Sequence, residues 1–126
     1  MVNGEPEKTL FRIESYEREG IDPALLAFLE CFNRQEYFEA HKVLEPTWLG
    51  QRGKANEGFY KGLIQLAGAF VHLRAKRSAP AAALLALAQR NLASCPRNQE
   101  GLAVDEIRDQ IAACLAQPQF HSGPHS

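Results

Sequence analysis

Between Asn56 and Lys76 the chain is patterned on two sides at once. Phe59, Tyr60, Leu63, Leu66, Ala67, Phe70, Val71 and Leu73 recur at the helical period and make a wide apolar face. The reverse side carries a narrow stripe, Lys61, Gln65, Gly68 and His72, spaced four, three and four. Gly62 and Ala69 beside it are small enough to let a partner helix come close. A helix patterned on both sides has neighbours on both sides, so this segment is expected at the centre of a bundle.

The flanking segments supply those neighbours. Asp22-Pro23 is an N-cap followed by proline at the first helical position. Leu25, Leu26, Phe28, Leu29 and Phe32 then make a stripe to about residue 33, the first helix. A second helix is predicted from Gln35 to Trp48, kinked or cut short at Pro46, where a backbone donor is missing. Ser78 and Pro80 open a fourth, alanine- and leucine-rich helix that ends before Cys95-Pro96. A fifth takes Val104 to Ala116, with Val104, Ile107, Ile111 and Leu115 inward. Arg97 to Gly101 reads as a loop, and no alternating run with a hairpin turn is found. The fold class expected is all-α, a compact bundle of about five helices in one domain over residues 21–116. Residues 1–20 read as a mobile arm that docks through Leu10, Phe11, Ile13 and Tyr16, and residues 117–126 as a disordered tail.

Charge narrows the partners. The 126 residues carry a net charge of −1, with both signs scattered, which gives no electrostatic case for nucleic acid. No apolar run reaches about 18 residues, so no membrane span is expected, and the N-terminus lacks the apolar stretch of a secretory signal. Cys31, Cys95 and Cys114 form no close pair and suit a reducing compartment, so the expected location is the cytoplasm. A homo-oligomer is expected on base rates alone.

The candidate site lies in the second helix. At about 100° per residue, Tyr37, Phe38, His41, Leu44, Glu45 and Trp48 share one face. Read this way, His41 and Glu45 sit inside an aromatic stripe, where unpartnered polar groups cost roughly 1–3 kcal/mol each. The polar stripe of the third helix could meet them through Gln65 and His72, with Lys61 neutralising Glu45. Three uses fit such a pair, which stands one helical turn apart. It is a structural network, a ligand or divalent-metal site, or a catalytic pair with His41 as general base oriented by Glu45 for a hydrolysis. The expected lining of a small-molecule site is Tyr37, His41, Glu45, Trp48, Lys61, Gln65 and His72. The metal candidates are His41, Glu45 and His72, with Glu57 suitable by type. The alternative is a scaffold or protein-interaction module in which the network only fixes packing.

The block Phe32-Asn33-x-x-Glu36-Tyr37-Phe38-Glu39-Ala40-His41-x-Val43-Leu44-Glu45-x-x-Trp48, followed by Lys61-Gly62-Leu63-Ile64-Gln65-Leu66-Ala67, resembles the signature of domain of unknown function family 309. The likeness covers roughly residues 22–92. It implies a small all-helical protein of prokaryotic or plastid type, without an assigned activity. Two positions depart from the family pattern: Lys42 stands where an acidic residue is usual, and Gln35 lies where glycine is frequent.

Overall fold

The computed structural model describes residues 11–120. Its helices are α1 (Pro23–Asn33), α2 (Tyr37–Gly50), α3 (Glu57–Arg74), α4 (Ser78–Ala93) and α5 (Val104–Leu115). The expected all-α bundle is observed, with α3 packed between α2 and α4.

Helix α1 starts as its sequence requires. Asp22 accepts from the backbone N–H groups of Ala24 and Leu25 at 3.0 and 3.2 Å, and Pro23 follows. It ends in a Schellman motif: Glu36 N–H reaches Cys31 C=O at 2.9 Å and Gln35 N–H reaches Phe32 C=O at 2.9 Å. That closure puts Gln35 at φ +66°. A side chain there costs roughly 1–2 kcal/mol that glycine does not incur, although glycine loses part of it through a freer unfolded chain. This is the position near which the family pattern has glycine. Gln35→Gly is therefore expected to stabilise the protein by ~0.5–1 kcal/mol in urea denaturation, despite losing the exposed hydrogen bond Gln35 accepts from Arg74. An unchanged or lower midpoint would show that the side-chain contact outweighs the backbone strain.

Helix α2 runs through Pro46 to Gly50 instead of stopping there. Proline removes one donor and leaves the Lys42 carbonyl without its helical partner. Pro46 itself faces outward, where its ring has room. The buried side of α2 is Tyr37, Ala40 and Leu44.

Two features go beyond the sequence patterns. Residues 98–103 form a two-residue hairpin, Asn98–Gln99 paired antiparallel with Leu102–Ala103. Glu100 and Gly101 at its tip both have positive φ, +52° and +86°, as a type I′ turn demands. Each strand is only two residues long, too short for alternation to register. The hairpin is fixed to the start of α3, because Asn56 accepts from Gln99 at 2.8 Å and donates to Glu100 at 3.1 Å.

The second feature is the arm, which is tied down along its described length. Tyr16 bridges to Leu102, Ala103 N–H donates to Ser15 C=O, and Glu17 N–H donates to Gly101 C=O. Two side-chain amides stand in for a neighbouring strand. Asn33 accepts from Ile13 N–H at 2.8 Å and donates to its C=O at 2.7 Å. Gln110 does the same for Arg12, at 3.1 and 2.6 Å. Phe11 and Ile13 are buried in the core, as expected; Leu10 lies outside the described residues. Pro118–Phe120 form a short 3-10 turn, and Phe120 packs against the core. The part of the expected tail beyond residue 120 lies outside the described residues.

Candidate functional site

The polar pair of α2 does not sit inside the core. No polar or charged residue among the described residues is buried. The buried arc of α2 is centred near Leu44, between Tyr37 and Ala40, so it is turned by roughly 60° from the face first drawn, at 100° per residue. Counting Phe38 as core produced that error; Phe38 is 55% exposed. His41 and Glu45 consequently fall on the border of the buried face and are half-buried. Among the described residues neither side chain takes part in a hydrogen bond, with the other or with a third group. A general base held by its carboxylate is not formed.

The stripe on α3 faces another helix than expected. Gln65 accepts from Asn91 of α4 at 2.7 Å, so it points away from α2. His72 accepts on Nδ1 from the Arg77 guanidinium at 3.0 Å, and Lys61 is exposed. Glu57 accepts from Gly53 N–H at 3.0 Å and so secures the loop before α3. Small residues do permit close approach, and they do so toward α4: a Cβ on Gly62 would stand 2.9 Å from Leu92 Cγ. The expected metal set of His41, Glu45 and His72 is not assembled. Among the described residues no three His, Cys, Asp or Glu side chains come together.

Trp48 packs partly against the core, and its indole N–H is buried with no acceptor among the described residues. Of the expected lining residues, Tyr37 borders two cavities among the described residues. Its ring stacks on Phe70 at 5.1 Å, and the Arg74 guanidinium lies over it at 5.0 Å. Burial pushes the Tyr37 phenol up, with Arg74 and Arg12 opposing, so it stays a neutral donor. Two open clefts adjoin it. One, of about 470 Å³, is walled by Glu36, Phe38, Val71 and Arg74. The other, of about 320 Å³, is walled by Phe70, Leu73, Arg74 and Cys114. His41, Glu45, Trp48, Lys61, Gln65 and His72 line neither, so the seven expected residues do not make one site. Burial raises all three thiols, Cys31, Cys95 and Cys114, which disfavours the nucleophilic thiolate.

The outer face of α2 carries a feature that the aromatic-stripe pattern does not single out. Phe38 is 55% exposed, Leu49 45% and Val43 36%, and they are three of the four large exposed hydrophobics among the described residues. Lys42 lies over the Phe38 ring at 5.3 Å. The signal was present as the four-three-four spacing of Phe38, Lys42, Glu45 and Leu49.

Residues 25–85 match the family described as Domain of unknown function (DUF309). The chain contains a DUF309 domain. The resemblance drawn from the Glu39 to Trp48 and Lys61 to Ala67 blocks is thereby established. The chain is similar to the uncharacterized protein YpuF of Bacillus subtilis (strain 168), 36% identical over 80 residues, 64% of this chain and 46% of that protein. It is also similar to an uncharacterized protein of Aquifex aeolicus (strain VF5), 26% identical over 94 residues, 75% of this chain and 28% of that protein. The chain thus spans less than half the length of either relative. No solved structure matches it significantly. Among the described residues, no helix is long and apolar enough to cross a membrane.

Proposed function

We propose that this DUF309 protein is a protein-interaction module whose contact surface is the outer face of α2. The observation that carries the reading is the pair of exposed large apolar side chains Phe38 and Leu49, which lie within about 20° of each other on α2; Val43, also exposed, lies roughly 130° round the helix. Isolated exposed apolar residues are ordinary, whereas large ones aligned along one helix stripe suit a surface that is covered in use. The longer relatives support the same reading, since the matched region is one part of each. Three free thiols suit work in a reducing cytoplasm.

The test is photocrosslinking in cells that make the chain. Benzoylphenylalanine in place of Phe38 is expected to give a discrete covalent adduct. The same group at Ala113, on the exposed side of α5, is expected to give none. Equal labelling from both positions, or no adduct from position 38, would overturn the reading.

A further inference from the structure

We infer that the occupant of this face is a second copy of the same chain, docked antiparallel along α2. The inference rests on the interaction reading and names its partner. Phe38, Lys42, Glu45 and Leu49 lie within about 60° of one another on the helix. Their spacing of four, three and four is the d–a–d–a order of a coiled-coil seam. Read in either direction, the stripe runs apolar, charged, charged, apolar, and the two charges are opposite.

This order is self-complementary under a two-fold axis. In an antiparallel pair centred between Val43 and Leu44, Phe38 of one copy meets Leu49 of the other, and Lys42 meets Glu45. The symmetry repeats each contact, giving two apolar contacts outside and two ion pairs inside. A parallel pair would instead set Lys42 on Lys42 and Glu45 on Glu45, so like charges reject that orientation. Among the described residues neither Lys42 nor Glu45 has an ion-pair partner within its own chain, so both charges are free for the other copy. The Lys42 ammonium lies over the Phe38 ring at 5.3 Å, on the seam itself, and its flexible stem lets it swing from there to Glu45 of the other copy.

From Phe38 to Leu49 the seam is about 16 Å long, at 1.5 Å per residue, which makes a contact at the small end of specific interfaces. His41 and Trp48 flank the seam on one side. Trp48 is the chain's single tryptophan, so its emission reports pairing directly.

Sedimentation equilibrium on the full chain, with Trp48 emission followed over the same concentrations, tests the inference. A monomer–dimer equilibrium is expected. Lys42→Glu and Glu45→Lys should each weaken it at least tenfold, because each sets like charges together twice. The double variant Lys42→Glu with Glu45→Lys restores opposite charges across the axis and should recover the wild-type dissociation constant. Circular dichroism, expected to be unchanged throughout, reads the fold separately. A monomer at all concentrations overturns the inference, as does a dimer indifferent to the single charge reversals or a double variant that fails to recover. An adduct from position 38 to a different protein, with the purified chain monomeric, overturns self-pairing and leaves the interaction reading standing. No adduct from position 38 removes both.

Discussion

Phe32→Ala is expected to cost ~3–5 kcal/mol in urea denaturation, the range for removing a fully buried phenylalanine from a core that cannot collapse around the gap. Phe32 is fully buried at the end of α1. Its ring stands 5.6 Å from Phe11 of the arm, 5.1 Å from Tyr37 of α2 and 5.6 Å from Phe70 of α3, all three in edge-to-face geometry. Phe28, one turn back on α1, adds a tilted contact at 5.9 Å. Four segments of the chain therefore meet on one ring, and edge-to-face pairs contribute beyond their buried area. Total stability of a domain is about 5–15 kcal/mol, so this change consumes a large fraction of it. A loss below ~1 kcal/mol would show that the aromatic group is not what joins the arm to the helices.

Gly62→Val is the second large effect, an expected loss of ~2–4 kcal/mol. In isolation a mid-helix glycine is a weakness, and alanine would improve helix propensity by ~1 kcal/mol. Here the added Cβ would stand 2.9 Å from Leu92 Cγ and 3.4 Å from the Ala88 carbonyl oxygen. Neither is a free side-chain end that can swing aside. The steric cost exceeds the propensity gain, and a branched side chain increases it. Gly68→Ala is the control, because its Cβ would meet only Leu84 Cδ1 at 3.4 Å, a flexible tip. Thermal unfolding of the pair should move in opposite directions, and a Gly62→Val protein as stable as wild type would refute close α3–α4 packing at that level.

The helices themselves were legible because their signals are local. Asp22 with Pro23, the break at Cys95-Pro96 and the two-sided pattern of α3 each carry their meaning within a few residues. The outcome at α2 was not, because which side of a helix is buried depends on what it packs against. Ala40 looks neutral in sequence yet occupies the buried side, where its small size admits its neighbours, while the larger Phe38 faces outward. Gln65 could have met either neighbouring helix; only the fold shows Asn91 across from it. The hairpin was missed because its strands are two residues each; docking of the arm through Phe11 and Ile13 was legible from their apolar side chains, but its backbone partners, Asn33 and Gln110, were not, being far away in sequence. For the candidate site, the correct helix was legible and the face was not: Tyr37 lines a cleft, whereas His41 and Glu45 border an open surface.

The grip of Gln110 on both backbone groups of Arg12 joins positions 98 residues apart. Closing so long a loop comes late, after the local helices have formed. During synthesis the backbone of Arg12 must wait, without the Gln110 amide, until α5 has left the ribosome.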